Sequence, residues 1–554
     1  MISYWDPDMI NSDFIWRIPG LPPPETKDIC VEHDIEIPMP DGVILLADRY
    51  YPRGGEDRPL ILIRSPYGRR GLNEFNSRLL AGYGFQVLIQ SCRGTFGSGG
   101  KFDPFRQERA DGLATVNWMK KQEWFPGIFG TFGSSYLGYV QWAIAKDAGP
   151  ELKAMVVMFS CSILGLHHYQ GGSFTLEDAL LWTYLNFTEN RLLFELPPEK
   201  MLEMPPRPPP EVERALNSLP LRDLDKIACG REIEFWQNLL KYTPDDEYWK
   251  PADHSRAVAE VKANVLLIGG WYDIFLPWQI KDYITLCEAG NKPHLIVGPW
   301  THVAIDPIIL REAVAWLRYH LLGDQQCKPR SPVRLFVMGV DEWRDYPGWP
   351  LPEYQPMRWC LQPRGGLAPE LPPESPPDRY RYDPRDPTPT IGGPRLVDAG
   401  PRDNRPLESR PDVLTYTSPP LKEELEVIGG VKAELYAKSS LKCTDFFVRI
   451  CDLHPSGESI NICDGIISVK PGRPPLEEGG FIHVVFELWP TAYKFRRGHC
   501  IRVQVSSGAH PRYARNTGSC EPLSTASKLF VAENEIYHDP RHPSAVILPA
   551  RFLK

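Results

Sequence analysis

One stretch constrains the fold more than any other: residues 128–145, with the sequence IFGTFGSSYLGYVQWAIA. An apolar run meets small residues here and continues as an apolar segment with helical periodicity, which predicts a strand, a sharp turn and a helix. A nucleophilic serine needs this shape, because the turn lifts its hydroxyl clear of the sheet. Gly133 and Gly138 lack the Cβ atoms that would keep strand and helix apart. We therefore interpret Ser135 as the candidate nucleophile.

The match to the pattern Gly-x-Ser-x-Gly is not strict, because Leu137 occupies the place of the second glycine and Gly138 follows one residue later. Of the two adjacent serines, only Ser135 lies two residues after a glycine and three before another. Ser134 is therefore expected to be a spacer. An ordinary Gly-Ser-Ser loop is the alternative, since short motifs recur by chance. The partners of the serine must distinguish the two interpretations.

A serine hydroxyl needs a histidine to take its proton and a carboxylate to orient that histidine. The sequence VLLIGGWYDIF at 265–275 predicts a strand followed by Asp273, and HLIVGPWTH at 294–302 predicts a second strand followed by His302. Chemistry in open α/β sheets gathers at the carboxyl ends of strands. Taken singly, the aspartate could cap a helix and the histidine could be structural. Together with Ser135, in this order, they predict a catalytic triad.

Strand and helix patterns alternate along the first part of the chain. The predicted elements are a hairpin at 35–51, strands at 60–64, 85–90 and 130–133, helices at 74–81 and 108–121, and later a helix at 308–322 and a last strand at 333–338. Alternation of this kind predicts an α/β domain with a mainly parallel, doubly wound sheet, which resumes at residue 265.

Residues 163–255 differ from their surroundings, because they show few strand patterns and have apolar residues at helical spacing before the proline-rich MPPRPPPEVE. This insertion leaves and rejoins the sheet between the predicted nucleophile and acid. We therefore interpret it as a helical cap over the pocket, with an independent domain as the alternative. Its Trp182 is a candidate for the pocket wall, although aromatic residues on helices more often lie in a core.

From about residue 355 the composition changes to short β-branched and aromatic runs separated by Pro, Gly and Asp turns, which predicts an all-β sandwich. A carbohydrate-binding module would have the same signature, since one fold hosts many functions. With 554 residues, the chain is long enough for about three or four units. The predicted divisions are an α/β domain at 1–162 and 256–354, the cap at 163–255 and the β-sandwich at 355–554.

Composition excludes some classes of partner. A net charge of −8 without a basic cluster argues against nucleic acid, since phosphate binding needs concentrated Lys and Arg. The N-terminal MISYWDPDMINSDF has no basic segment followed by an apolar core, so no secretory signal is predicted. The longest apolar stretch, at 154–166, is too short and too interrupted to span a bilayer. We expect no membrane partner and a cytoplasmic location.

The twelve cysteines are scattered and form no Cys-x-x-Cys pair, which favours free thiols in a reducing compartment. The sequence contains no HExxH or similar metal-binding pattern, and the adjacent His167 and His168 would project in different directions. We therefore expect neither a metal nor a cofactor.

Several segments are similar to those of one enzyme family. They are GSSYLG, GGWYDIF and GPWTH, with RSPYG at 64–68, CRGTFGSGGKF at 92–102, VMGVDEWR at 337–344, and in the C-terminal half RPLESRPDVLTYTS, TDFFVRICDLHPSG, NICDGI and RGHCIRVQVSS with HPRY. Across much of its length the chain resembles the cocaine esterase (CocE/NonD) family, whose relatives are X-Pro dipeptidyl-peptidases and α-amino-acid ester hydrolases. The resemblance implies an α/β-hydrolase domain, an inserted helical cap and a C-terminal jelly roll that packs against the catalytic domain.

The resemblance also implies roles for single residues. The predicted triad corresponds to the nucleophile, acid and base of the family, and the oxyanion hole corresponds to the phenol of Tyr67 and the backbone N–H of Tyr136. Both groups can donate to a developing negative charge. The alternative for Tyr67 is a turn residue after Pro66. The chain departs from the family pattern at Ser91, because many relatives carry an aspartate at this position, two residues before an Arg-Gly pair.

The predicted activity is hydrolysis of an ester or amide bond through an acyl-enzyme. Acyl transfer by the same triad, an X-Pro dipeptidyl-peptidase-like amide hydrolase and a non-catalytic binding protein on the same fold are the alternatives. Phe275, two residues after the predicted acid, is expected near the site. With the pocket aromatics that the resemblance suggests, it favours a bulky acyl or aryl group. The expected partner is a small-molecule ester or amide, and the sequence leaves a homodimer open.

Overall fold

The computed structural model describes residues 20–163, 165–196 and 207–553. The N-terminal segment in which no secretory signal is predicted lies outside these ranges. So does the beginning of the proline-rich segment in the cap.

The first ten strands form one sheet. They are β1 (Ile29–Pro38), β2 (Ile44–Pro52), β3 (Leu60–Ser65), β4 (Gln86–Ser91), β5 (Phe129–Ser134), β6 (Leu152–Met158), β7 (Asn264–Tyr272), β8 (His294–Thr301), β9 (Val333–Val337) and β10 (Glu342–Tyr346). Their spatial order is β1-β2-β4-β3-β5-β6-β7-β8-β9-β10. The seven strands from β4 to β9 in this order are parallel, while β1, β2 and β10 add antiparallel edges.

This sheet confirms the predicted doubly wound α/β architecture. Strands β3 and β4 are buried along their whole length, as expected for parallel strands covered on both faces. The predicted hairpin corresponds to β1 and β2. The prediction that residues 333–338 form the last strand is wrong, because β10 follows as an antiparallel edge strand. Its sequence EWRDY is only half-buried, so it lacks the apolar run of an interior strand.

Helices cover the sheet and form the cap, and one short helix, Arg405–Glu408, lies in the C-terminal all-β part of the chain. They are α1 (Leu72–Gly82), α2 (Glu108–Met119), α3 (Tyr136–Ala145), α4 (Gly165–His168), α5 (Leu176–Phe187), α6 (Pro210–Leu216), α7 (Leu224–Cys229), α8 (Glu234–Lys241), α9 (Leu276–Glu288), α10 (Pro307–Leu317) and α11 (Arg405–Glu408). The inserted cap contains α4 to α8 and a short hairpin of Tyr169–Gln170 with Ser173–Phe174. Side chains of α5 line the same pocket as residues that follow β5 and β8, so the cap covers the carboxyl end of the sheet.

The C-terminal part of the described chain is an all-β jelly roll of 13 strands. They are β11 (Gln355–Gln362), β12 (Gly366–Ala368), β13 (Asp378–Tyr382), β14 (Leu414–Thr417), β15 (Glu424–Gly429), β16 (Lys432–Ser439), β17 (Thr444–Leu453), β18 (Ser459–Val469), β19 (Ile482–Glu487), β20 (Thr491–Phe495), β21 (Cys500–Ser506), β22 (Ala532–Ile536) and β23 (Ala545–Leu553). All their pairings are antiparallel except that between β12 and β14. One cluster of buried apolar side chains continues from the first sheet into the jelly roll.

A disulfide joins Cys443 and Cys520, whose Cα atoms lie 5.5 Å apart. The prediction that all cysteines are free thiols is therefore wrong for this pair, and the other ten cysteines are free. The two partners lie 77 residues apart in the sequence and belong to no motif. Only the folding of the jelly roll brings them within bonding distance.

Within the described ranges, every helix is too short or too polar to cross a lipid bilayer.

Candidate active site

Ser135 lies in the turn between β5 and α3. Its backbone has φ 57° and ψ −123°, a strained conformation for a residue with a side chain, and its N–H donates to the Met158 carbonyl of β6 at 2.9 Å. A strained serine between a strand and a helix is the arrangement that exposes a nucleophile at the edge of an α/β-hydrolase sheet.

The displaced glycine of this turn has a physical explanation. A Cβ atom on Gly133 would lie 2.3 Å from Cβ of Leu137, so the first glycine makes room for the leucine that replaces the second. A Cβ atom on Gly138 would lie 2.5 Å from Cβ of Ser160, in the segment after β6. The close approach of α3 to the sheet therefore depends on Gly138 rather than on the residue before it.

The structure brings the three predicted triad residues together at the carboxyl ends of β5, β7 and β8. Nε2 of His302 lies 2.9 Å from Oγ of Ser135, and its Nδ1 lies 2.6 Å from Oδ1 of Asp273. The imidazole therefore joins the hydroxyl to the carboxylate. Its side chain is 8% exposed and that of Asp273 is fully buried, so little water competes for these hydrogen bonds.

Further contacts fix the aspartate. Its Oδ2 accepts the N–H of Phe275 at 3.2 Å, and its backbone carbonyl accepts the indole N–H of Trp489 at 3.0 Å. In the preceding residue, the Tyr272 hydroxyl donates to the carbonyl of Asn461 at 3.0 Å. Trp489 and Asn461 belong to the jelly roll, so that domain helps to position the acid loop.

Tyr67 follows β3, and its phenol lies beside the serine. The indole N–H of Trp182 donates to the phenol oxygen at 2.9 Å, and Tyr67 and Ser135 line the same pocket. Burial raises the pKa of Tyr67 to about 12, so the group stays protonated at neutral pH. Since its oxygen already accepts from Trp182, its O–H is free to act as a donor toward the serine side of the pocket.

The backbone N–H of Tyr136 lies in the first turn of α3, where N–H groups have no intrahelical acceptor. Its side chain is anchored separately, because the phenol donates to Glu108 at 2.7 Å and accepts the N–H of Phe105 at 2.8 Å. Burial holds the pKa of this phenol well above its usual value. The backbone of Tyr136 is thus held in place beside Ser135.

The pocket around these residues has mainly aromatic and aliphatic walls and about 540 Å³ of empty space, including its open mouth. Both predicted wall residues line it. Phe275 meets the ring of His302 edge-on at 5.2 Å, and Trp182 lies parallel to the ring of Tyr136 at 6.1 Å. The remaining lining residues are Phe105, Tyr139, Ser160, Cys161, His167, His168, Asp178, Ile274 and Leu396.

Asp178, His167 and His168 also line the pocket, and none of them belongs to the site predicted from the sequence. In the sequence the two histidines suggest only a metal pair, which their adjacency argues against. A signal for Asp178 was present, because it precedes Trp182 by four residues on α5, and such residues share one face of a helix.

Within the described parts of the chain, one group of side chains has a spacing that could hold a metal ion: Asp452, His454 and His499. Nδ1 of His499 lies 2.9 Å from both oxygens of Asp452, and Nε2 of His454 lies 3.3 Å from one of them. This group belongs to the jelly roll and contributes no residue to the pocket.

Two family models match the chain. Residues 41–304 match X-Pro dipeptidyl-peptidase (S15 family), and residues 326–547 match the X-Pro dipeptidyl-peptidase C-terminal non-catalytic domain. Cocaine esterase of Rhodococcus sp. (strain MB1 Bresler) is 32% identical over 94% of this chain and 98% of its own length.

Two solved structures resemble the whole described architecture. An α-amino acid ester hydrolase has a TM-score of 0.81 at 21% sequence identity, and an aminopeptidase of a marine sediment archaeon, Thaumarchaeota archaeon, has a TM-score of 0.79 at 23% identity. Each likeness covers 96% of this chain and 98% of the other. They confirm the predicted combination of an α/β-hydrolase domain, a cap and a jelly roll.

Proposed function

Since the chain belongs to the CocE/NonD family of serine hydrolases, which act on ester and amide bonds, we propose that Ser135, Asp273 and His302 are its catalytic triad. The observation that carries this proposal is the position of His302, within hydrogen-bond distance of both other residues. A base that reaches the nucleophile and is itself oriented by a buried carboxylate is the arrangement that activates a serine.

The proposed reaction proceeds through a covalent intermediate. Nε2 of His302 takes the proton of Ser135 while Oγ attacks the carbonyl carbon of the substrate. Asp273 holds the imidazole in the tautomer with a proton on Nδ1 and stabilises the imidazolium that forms. The imidazolium then protonates the leaving group, and the acyl group remains on the serine. Water, deprotonated by the same imidazole, releases the acid and restores the enzyme.

We propose that the negative charge of the tetrahedral intermediates is stabilised by the O–H of Tyr67 and the backbone N–H of Tyr136. The raised pKa of Tyr67 supports its part, because a phenol must remain protonated to donate. The indole of Trp182 supports it further, since a hydrogen bond received from Trp182 orients the phenol. Donors fixed before the reaction stabilise developing charge without reorganising.

The substrate proposed is a small ester or amide whose acyl or aryl group fits between Phe275 and Trp182, the two proposed pocket residues. Neither nucleic acid nor a membrane is a proposed partner, and a homodimer remains open. The predicted cytoplasmic location also remains a proposal, supported by the ten free cysteines. The Cys443–Cys520 disulfide counts against it, because disulfides are rare in reducing compartments.

Labelling with a fluorophosphonate probe and turnover of an aryl ester test the nucleophile. We expect Ser135→Ala to abolish both, because the variant loses the attacking oxygen. Ser134→Ala is the matched control, since it removes the neighbouring hydroxyl from the same turn, and it should retain labelling and most of the turnover. Full labelling of Ser135→Ala, or loss of both readouts only in folded Ser134→Ala, would show that the nucleophile is misassigned.

A further inference from the structure

The side chains of Asp452, His454 and His499 converge in the jelly roll, outside the pocket. Leu453, the last residue of β17, lies opposite Cys500, the first residue of β21. Extending this register by one residue makes His454 and His499 a facing pair, and their rings lie 4.6 Å apart. Asp452 precedes His454 by two residues, so strand alternation places its side chain on the same face of β17. The local backbone therefore gathers the three side chains.

The donor atoms of these side chains have the spacing of metal ligands. Nδ1 of His499 lies 2.9 Å from each oxygen of Asp452, Nε2 of His454 lies 3.3 Å from its Oδ2, and all the ligand atoms lie within 4.8 Å of one another. Zinc binds imidazole nitrogen and carboxylate oxygen at about 2.0–2.2 Å, which holds tetrahedral ligands about 3.3 Å apart. Both imidazole-to-carboxylate separations are already close to this value.

The buried carboxylate of Asp452 lacks a permanently charged partner. Its side chain is 2% exposed, and within the described ranges its ion-pair contacts are with His454 and His499 alone. Burying a carboxylate is unfavourable unless a positive charge compensates it. Imidazole, unlike the guanidinium of arginine, is a common metal ligand. A carboxylate between two imidazoles is therefore suited to a bound cation as its counter-charge.

Other buried carboxylates of the jelly roll have arginines instead. Asp464 bonds with Arg449 and Arg512. Glu426 also bonds with two arginines, one at each oxygen. The absence of arginine is therefore a property of the site around Asp452 rather than of buried acids in this domain.

Two outer contacts orient the proposed ligands. The hydroxyl of Tyr493 donates to Oδ2 of Asp452 at 2.7 Å. Oε2 of Glu458 lies 3.9 Å from Nδ1 of His454, the ring nitrogen that does not face Asp452. The N–H of His454 also donates to the backbone carbonyl of Glu458 at 2.8 Å, which holds the start of this turn. Carboxylates and hydroxyls behind the ligands are typical of metal sites in proteins.

We propose that Asp452, His454 and His499 bind one divalent transition-metal ion, represented by Zn²⁺. Two imidazole nitrogens and one carboxylate oxygen favour Zn²⁺, Ni²⁺ or Cu²⁺ over Ca²⁺ and Mg²⁺, which take oxygen ligands. The side chain of His454 is 30% exposed, so the site opens to solvent there and leaves the fourth ligand position to water. The sequence shows no metal motif because His499 reaches the site from another strand.

The ion would join β17 to β21 and act on the junction with the α/β part. Tyr493 lies on β20, and its neighbours bond with the residue after β9: Met338 donates to the carbonyl of Ala492 and accepts the N–H of Lys494, both at 2.9 Å. We therefore expect the bound ion to stabilise the jelly roll and this junction. Since the site contributes nothing to the pocket, the proposal does not depend on the proposed triad.

Calorimetric titration of tag-free, full-length, chelator-treated protein with ZnCl₂ tests the proposal. We expect one equivalent of zinc per chain, and no competition from Ca²⁺ or Mg²⁺. Zinc at about 100 times its Kd should raise Tm by several degrees, because it binds the folded state. Co²⁺ should bind without an intense thiolate charge-transfer band, which excludes the free cysteines as ligands.

Substitutions locate the site. His454→Ala and His499→Ala each remove a ligand and should weaken zinc binding by more than about 100-fold, while Tyr493→Phe removes only an outer hydrogen bond and should weaken it by about 10-fold. His483→Ala is the matched control. His483 also contacts two carboxylates of the jelly roll, but within the described ranges it belongs to no three-ligand group. This variant should keep the wild-type Kd and stoichiometry.

Crystals grown with zinc provide a direct test. An anomalous peak should lie about 2.0–2.2 Å from Nε2 of His454, Nδ1 of His499 and an oxygen of Asp452. Three results would overturn the inference: no wild-type binding at micromolar zinc, wild-type affinity in folded His454→Ala, or zinc found only at other residues. If His499→Ala does not fold, the partly exposed His454 and the wild-type crystals still decide.

Discussion

The phenol of Tyr67 lies between the indole of Trp182 and the hydroxyl of Ser135, and its proposed role depends on one O–H group. Tyr67→Phe keeps the ring and removes the donor. We expect kcat to fall by about 10²- to 10³-fold with a much smaller change in KM, because the hydrogen bond strengthens in the transition state. Steady-state kinetics on one ester measure this effect.

Tyr139→Phe is the matched control, because it removes the hydroxyl of another pocket tyrosine, one bonded to the carbonyls of Phe105 and Ala252. It should alter stability more than kcat. An unchanged kcat in folded Tyr67→Phe would mean that the Tyr136 amide acts with another donor.

Asp273→Asn preserves the size of the acid while removing its charge. Its amide can present an N–H instead of an oxygen to Nδ1 of His302, which favours the wrong imidazole tautomer. We expect kcat to fall by about 10³-fold or more, since the same change costs about 10⁴-fold in another such triad. A folded variant with turnover near that of the wild type would remove Asp273 from the mechanism.

Single residues were predictable where their chemistry follows from chain order. The sequence places a serine, an aspartate and a histidine after three predicted strands, and parallel strands end at one edge of a sheet. Asp178 and His168 follow no predicted strand, so chain order does not place them at the site. Their position in the pocket depends on how α4 and α5 pack over it, which the shared helix face of Asp178 and Trp182 does not specify.

At the scale of elements, the packing of α3 against the sheet depends on Gly138. An added Cβ would approach Ser160 to 2.5 Å at Cβ and 2.9 Å at Oγ, so Gly138→Ala must displace the helix or the segment after β6. We expect the free energy of unfolding to fall by about 1–3 kcal/mol, the usual cost of overpacking. Chemical denaturation followed by fluorescence gives this value.

Gly348→Ala provides the control for that substitution, because no atom lies within 4 Å of the added Cβ and the backbone is not in the left-handed region. Its stability should differ little from that of the wild type. Equal stabilities of the two variants would contradict the view that Gly138 sets the distance between helix and sheet.

Elements with strong periodicity were predicted well, and those without it were not. The buried strands β3 and β4 are recognisable in the sequence as apolar runs, because both of their faces are covered. The edge strand β10 consists mainly of polar residues and owes its extended conformation to pairing with β9. Hydrophobic periodicity indicates which residues are buried. It therefore does not predict a strand whose conformation is stabilised by pairing rather than by burial.

At the scale of the whole molecule, the jelly roll contacts the acid loop through Trp489. Trp489→Phe removes the N–H that binds the Asp273 carbonyl but keeps an aromatic ring against Trp278. We expect kcat to fall several-fold and the free energy of unfolding to fall by about 1–3 kcal/mol, because a buried carbonyl loses its donor.

Trp359→Phe is a suitable control within the jelly roll. The indole nitrogen of Trp359 is buried and has no hydrogen-bond partner in the described ranges, so its removal should preserve kcat. If Trp489→Phe has the same kcat and the same free energy of unfolding as Trp359→Phe, the hydrogen bond from Trp489 to the acid loop does not contribute to catalysis or stability.

The composition change near residue 355 indicated an all-β part, but the neighbours of its strands could not be predicted. Strand β23, at the end of the chain, pairs with β11, at the beginning of the jelly roll. Such pairing joins distant segments and leaves no local pattern. The Cys443–Cys520 bond was missed for the same reason. The domain limits 1–162, 163–255, 256–354 and 355–554 stay predictions.

The hydrogen bond from Trp489 to Asp273 also limits how this architecture can be recombined. In a chimera that joins the α/β part of this chain to the jelly roll of a relative, the donor jelly roll must supply an equivalent N–H at the acid loop. Exchange at the natural junction would otherwise yield two correctly folded halves with a misplaced carboxylate. Grafting the loop around Trp489 together with the α/β part should restore activity, which makes that loop part of the inherited active site.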